Sequence, residues 1–237
     1  MAAVEDEMWF YRALHAHIER ELAGHLPANA RVRLLDAGCG TGGLIRRLAA
    51  RRVDWQWTGI DLEPLACELA RGRVAASVVE GSVMELPFVP ETFDGVVLAD
   101  VLYHLDDDAG ALREAFRVLR PGGVVVVNVP AHRWLWSYHD VTVHGRRRYV
   151  RGELDERLRE AGFGVERLTH WNLLPLPFVF LRRRLLPAPA SGSDVRLYPA
   201  PVEAALRGAM AIERAWLGGG GSLSVGSSLL AVARKPA

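Results

Sequence analysis

The stretch Leu34-Leu35-Asp36-Ala37-Gly38-Cys39-Gly40-Thr41-Gly42-Gly43 constrains the fold more than any other part of the chain. A short apolar strand, Val32 to Asp36, ends on a carboxylate. Glycines follow at 38, 40, 42 and 43, and Leu44 to Arg52 reads as a helix. Glycine lets the chain turn sharply and approach a ligand closely. A helix that starts straight after such a turn offers its free N–H groups to whatever sits there.

The same alternation continues. Trp55 to Asp61 reads as a second strand, and Glu63 to Arg73 as a helix with Pro64 in its first turn. Ala76 to Glu80 and Phe93 to Ala99 are strands three and four. Asp106-Asp107-Asp108 gives the next helix an acidic start, and Ala109, Leu112, Ala115, Phe116 and Leu119 share one face of it. Arg120-Pro121-Gly122-Gly123 predicts its stop. Val124 to Val129 is a β-branched run broken only by Asn128, as in a strand buried on both faces. A helix at Glu153–Ala161 and strands at Gly164–Thr169 and Ser228–Ala233 complete the pattern.

Seven strands alternating with helices predict an α/β fold: a Rossmann-like, mostly parallel sheet with helices on both faces. Half of the 237 residues are hydrophobic, which suffices for one domain of this kind. The core is expected at about 30–170 and 226–237. A helical cap is expected from 1–28, 131–150 and 172–225, because 172–226 is too long for a plain loop. It holds a Pro/Ser/Gly stretch (Pro187 to Pro201), a helix (Val202 to Leu217) and a glycine loop (Gly218 to Gly221). Residues 5–26 read as one amphipathic helix.

Composition removes several classes. The single lysine is Lys235, so no lysine follows the glycines as a P-loop requires. A net charge of +1 is weak for nucleic-acid binding by bulk charge. Cys39 and Cys67 cannot build a disulfide framework or a Cys-rich zinc site. His132, His139 and His144 are too loosely spaced for one helical face, so no metal is expected. The N-terminus is acidic where a secretory signal is basic, and Leu173 to Leu181 is too short to span a bilayer. The expectation is a cytoplasmic protein.

Gly38, Gly40 and Gly43 fit the dinucleotide pattern, with Asp61 about 20 residues on, where a ribose-binding acid belongs. Asp36 argues against a nicotinamide or flavin, because its carboxylate stands where a pyrophosphate would sit. A ligand with an ammonium and a sulfonium group welcomes it. S-adenosylmethionine (SAM) is such a ligand.

At this point the chain resembles the class I SAM-dependent methyltransferases. The resemblance rests on five blocks in order: LLDAGCGTG at 34–42, GIDLEP at 59–64, EGSVMELPF at 80–88, FDGVVLADVLYHL at 93–105 and RVLRPGGVVVV at 117–127. It implies that Asp36, Ala37, Gly38 and Gly40 surround the methionine moiety and that Asp61 holds both ribose hydroxyls. It implies that Leu62 packs on the adenine and that Ser82 and Val83 read its edge. Ala99 would offer its carbonyl to the ammonium. S-adenosylhomocysteine (SAH) would be the product. Plainer readings stay open: a solvated strand-end turn for Asp36, a helix cap for Asp61, a small turn residue for Cys39.

Candidates for the acceptor side follow strands four and five. His104 and Tyr103 leave strand four; His104 is a base or shapes the cofactor site. Trp134, Trp136, Tyr138, His139 and His144 leave strand five, where open α/β sheets bind ligands. They would wall a pocket or, as with His139 and His144, move a proton. The block resembles a bacterial methyltransferase subgroup with a Trp-Ser-x-His-Asp…His…Arg-Arg-Tyr pattern. Arg146 and Arg147 would bind an anionic group bidentately, or belong to a solvated turn. Residues 173–184, apolar then basic, would touch a membrane surface or lipid, or form cap core or a dimer contact.

The expected function is methyl transfer from SAM to a small-molecule acceptor that is apolar and carries an anionic group, by a monomer or homodimer without nucleic acid. The alternatives are a nicotinamide-dependent oxidoreductase and a non-catalytic SAM-binding protein.

Overall fold

A computed structural model describes residues 2–28, 30–188 and 194–237. Residues 189–193 of the Pro/Ser/Gly stretch therefore lie outside the described residues. The strands are β1 (Val32–Ala37), β2 (Trp55–Asp61), β3 (Ser77–Glu80), β4 (Phe93–Ala99), β5 (Leu119–Pro130), β6 (Gly164–Trp171) and β7 (Ser228–Arg234). They form one sheet in the order β3-β2-β1-β4-β5-β7-β6. The first five are parallel, and β7 runs antiparallel to both of its neighbours. The strand order reverses between β1 and β4, which makes a crevice at their carboxyl ends.

The sheet is buried on both faces because apolar residues occupy both sides of each central strand. Leu35, Val96, Leu98, Val125 and Val127 join one core cluster, with Leu112 and Leu154 from α5 (Asp108–Val118) and α7 (Arg151–Glu160). Their neighbours Leu34, Val97, Val124 and Val126 join the other. That second cluster takes in α2 (Trp9–His25), α3 (Gly43–Ala49), α4 (Pro64–Arg71) and α9 (Ala200–Gly218). The alternation follows from the period of two along a strand.

Two expectations need correction. The N-terminal helix is two helices, α1 (Ala2–Glu7) and α2, because Met8 is extended at φ −62°, ψ 133°. The N–H of Trp9 is accepted instead by Glu203 Oε2 of α9 at 3.0 Å. Strand five starts at Leu119, not Val124: Leu119 pairs with Phe93, and the register shift before Gly95 absorbs Pro121-Gly122-Gly123. Gly122, at φ 77°, allows that irregularity.

The expected cap segments contain two further short elements, α6 (Tyr138–Thr142) and α8 (Leu176–Arg184). Ser137 and Asp140 explain the first: they form a capping box, with the Ser137 N–H donating to Asp140 Oδ2 at 2.9 Å.

Candidate active site

A cavity of about 840 Å³ opens at the carboxyl ends of β1, β2 and β4, within the range of small-molecule sites. The glycine turn forms one wall. Gly38 and Cys39 donate their N–H groups to Ile60 O at 2.8 and 2.9 Å, which pins the turn to the end of β2. Gly38 has φ 90°, and a side chain there would collide with Val101. The Gly40 N–H donates to Asp61 Oδ2 at 2.8 Å, and the Glu63 N–H donates to Asp61 Oδ1 at 3.0 Å. Asp61 thus orders both the turn and the start of α4, and each oxygen keeps a free lone pair.

Asp36 is only 2% exposed yet lines the cavity, and no donor among the described residues meets its carboxylate. Burial pushes its pKa up to about 8, and the nearby carboxylates of Glu5 and Asp61 push the same way. Glu5 comes from α1, which folds over the turn. It accepts from the Thr41 hydroxyl and pairs with Arg73 at 3.5 Å. This end of the cavity therefore presents three carboxylates, a set that repels phosphate and attracts a cation. Burial raises the Cys39 thiol well above its ordinary range, which favours the protonated thiol.

Leu62, Ser82, Val83, Ala99, Tyr103 and His104 also line the cavity. Ala37 does not; it is buried in β1. Ser82 Oγ accepts the Met84 N–H at 3.1 Å. His104 Nδ1 faces the His144 carbonyl at 3.3 Å, so the neutral ring carries its proton there and leaves Nε2 as the acceptor. Burial lowers its pKa.

His139 lines the far wall. Its Nδ1 accepts the Asp194 N–H at 3.2 Å, so the neutral ring bears its proton on Nε2. Burial, and after it Arg183, pushes its pKa down to about 4. The ring is therefore uncharged near neutral pH.

The other acceptor-side candidates stand outside the lining. Trp134 packs on His132 and Phe180 at centroid distances of 5.3 and 6.1 Å. Trp136 is half-buried. Tyr138 donates its hydroxyl to Asp194 at 2.8 Å. His144 turns its carbonyl to His104 and donates its N–H to Val141 O at 3.0 Å. Arg146 donates to His104 O at 3.0 Å and pairs with Asp106, and Arg147 donates to Leu105 O and Asp106 O at 3.0 and 2.9 Å. Both arginines hold the loop after β4.

Several lining residues were not foreseen: Glu5, Asp100, Arg182 and Asp194. Arg148 pairs with Asp140 at 2.7 Å, both side chains 3% exposed, and Asp194 pairs with Arg182 and Arg183 at 3.6 and 2.9 Å. The Arg148 and Arg183 pairs lie 8 and 11 residues apart in the chain, with no helix or strand holding both partners, so no period links them. Asp100 did leave a local sign, since a polar residue closed an apolar strand block.

The family model described as a methyltransferase domain matches residues 35–127. A probable S-adenosylmethionine-dependent methyltransferase of Mycolicibacterium smegmatis is 35% identical over 168 residues, covering 68% of this chain and 62% of the relative. The chain belongs to the class I SAM-dependent methyltransferases. The chain spans about three fifths of the length of the curated relative. Among solved structures, the Haloferax volcanii methyltransferase complexed with the Trm112 methyltransferase activator matches with a TM-score of 0.65 at 22% identity. That match covers 100% of this chain and 93% of the other. A 4+2 cyclase, SpnF, matches with a TM-score of 0.61 at 24% identity, over 93% and 80% of the two chains. These likenesses show the methyltransferase fold alone, since one bearer is named a cyclase. Among the described residues, no group of three or more His, Cys, Asp or Glu is placed to hold a metal ion, and no helix is long and apolar enough to cross a membrane.

Proposed function

We propose that this chain moves a methyl group from SAM to a small-molecule acceptor. The observation that carries the reading is Asp36: a buried carboxylate to which no described residue donates, facing the cavity beside Glu5 and Asp61. Such a group is costly to ionise alone and favourable beside a fixed cation. The methionine ammonium of SAM supplies one. Asp61 would accept from the ribose hydroxyls through its remaining lone pairs, and the Ala99 carbonyl would accept from the ammonium. Leu62 would cover the adenine, with Ser82 and the Val83 N–H at its edge. Gly38 and Gly40 would let the backbone lie against the methionine chain, continuing from Ala37.

When bound, SAM supplies an electrophilic methyl group. The protein's share is to place the acceptor in line with it and exclude water. Trp9, Leu14, Phe178 and Val179 give the rest of the cavity apolar walls. Arg148, Arg182 and Arg183 stand on this wall, paired with Asp140 and Asp194, and their guanidinium groups would meet an anionic group on an apolar acceptor. His139 would stand on the acceptor wall, and His104 would shape the cofactor wall beside Tyr103.

The partner beyond the acceptor is a membrane surface. The inner face of α8 lines the cavity with Phe178, Val179 and Arg182. Its outer face exposes Pro177, Phe180, Leu181, Arg184 and Leu185, at helical spacing. Arg184 and Arg196 are exposed, and residues 172–188 and 194–202 expose no acid. An apolar stripe with cationic neighbours and no acid fits an anionic bilayer.

The test of the function is transfer itself. Incubation with methyl-tritiated SAM and a lipid-soluble metabolite extract should move label into the organic phase. A protein that binds SAM and moves no label into any fraction would instead be a non-catalytic SAM-binding protein.

A further inference from the structure

Asn128 is the polar residue that interrupts the buried β-branched run of β5, and it is fully buried. Burying an amide is costly unless each of its groups is bonded. Asn128 Oδ1 accepts the indole N–H of Trp171 at 2.7 Å. An indole can only donate, so the amide orientation is fixed and Nδ2 must face the other way. There it donates to Asp100 Oδ1 at 2.8 Å. The Asp100 N–H donates back to the Asn128 carbonyl at 2.9 Å. Asp100 is thus gripped at backbone and side chain by one residue of the neighbouring strand. It has φ 54°, a left-handed conformation that aspartate tolerates better than most residues. This turns its carboxylate into the cavity, beside the Ala99 carbonyl assigned above to the cofactor. No other hydrogen bond to that carboxylate exists among the described residues.

We propose that Asp100 is the general base for a hydroxyl acceptor, with Asn128 and Trp171 as its positioning residues. This rests on the methyl-transfer reading. The acceptor oxygen gives its proton to Asp100 and forms a bond to the methyl carbon. The carbon–sulfur bond breaks, and its electron pair stays on sulfur. SAH and a methyl ether leave, and the proton on Asp100 passes to water.

The surroundings suit the role. Burial pushes the Asp100 pKa up to about 7, while the Asn128 hydrogen bond and the Arg148 charge favour the carboxylate. Tyr11 of α2 and Tyr103 after β4 also lie within its field. A base poised there is half ionised near neutral pH, the useful range for general catalysis. His104, with a free Nε2 on the same wall, is the competing base.

The test uses methyl-tritiated SAM with three hydroxyl probes: 4-nitrophenol, catechol and 2-naphthol. Asp100→Asn keeps the shape of the side chain. It should lower turnover by about 100-fold or more and abolish the acid limb of the pH profile, while SAM affinity by calorimetry stays within about threefold. Trp171→Phe removes one N–H and keeps a ring. It should weaken the grip of Asn128 on the charged form and move the acid limb to higher pH, which a purely structural loss would not do. Should Asp100→Asn not fold, Trp171→Phe carries the test, and an unmoved limb overturns the proposal. Turnover within about threefold of wild type in Asp100→Asn overturns it too. So does a limb lost in His104→Asn but kept in Asp100→Asn. A wild type that binds SAM and methylates none of the probes overturns the hydroxyl-acceptor inference alone. A wild type that fails to bind SAM removes the methyl-transfer reading and this inference together.

Discussion

The Gly40 N–H donates to Asp61 Oδ2 at 2.8 Å, so the glycine turn after β1 and the carboxylate at the end of β2 form one unit. The two sides of the proposed cofactor wall are therefore tied directly to each other. Asp61→Ala should remove both the ribose contact and this tie. SAM affinity should fall by roughly 30- to 1,000-fold, about 2–4 kcal/mol. Calorimetry giving wild-type affinity for the variant would take Asp61 out of the ribose site.

SAM binding should release a proton through Asp36. Its pKa in the free protein is about 8 against an ordinary 3.8, so at neutral pH it is mostly protonated. A raised pKa means that its contribution to stability is full below the ordinary value and is lost as pH rises through about 8. The free protein should therefore lose stability across that window. A bound cation favours the ionised form, so SAM affinity should rise with pH between about 6 and 8. Calorimetry in two buffers of different ionisation enthalpy reads the released proton. Asp36→Asn should abolish the part that Asp36 supplies, and an unchanged proton count in the variant would contradict this.

The arginines of 146–148 should separate by role. Arg148 and Asp140 form a buried pair, and removing one partner leaves a buried charge. Asp140→Ala should cost about 3–5 kcal/mol of stability, read by denaturant unfolding. Arg147→Ala should lower the melting temperature and keep SAM affinity within about threefold, since its bonds run to Leu105, Asp106 and Asp108. A loss of SAM binding with unchanged melting would place Arg147 in the site after all.

The outer face of α8 makes a separate prediction. The wild type should sediment with phosphatidylglycerol vesicles and much less with phosphatidylcholine vesicles, and added salt should weaken the binding. Phe180→Glu with Leu181→Glu should abolish sedimentation without changing SAM affinity. A wild type that ignores both vesicles, or that forms dimers lost in the same variant, would assign the face to something other than a bilayer.

The sheet was legible because each strand repeats a local signal, apolar residues bounded by turn residues, and the glycine turn fixed where the crevice would open. Asp36 and Asp61 were legible for the same reason: both lie at strand ends beside glycines. The acceptor side was less so, because its contacts join remote segments. The break at Met8 depends on Glu203 of α9. Arg146 and Arg147 read as anion binders because nothing nearby shows that carbonyls of 104–106 will take their donors. His139 read as a group that moves a proton, and nothing near it in the chain shows that its Nδ1 will take the Asp194 N–H. Asn128, in a run of valines, was the one local sign of the buried network behind Asp100.

The central claim is that this crevice binds a cation-bearing nucleoside rather than a dinucleotide. Calorimetric titration of the wild type with SAM, SAH and NAD, side by side, tests it most directly. SAM and SAH should bind, with SAM releasing a proton at neutral pH, and NAD should give no binding heat. Binding of NAD with none of SAM or SAH would contradict the account.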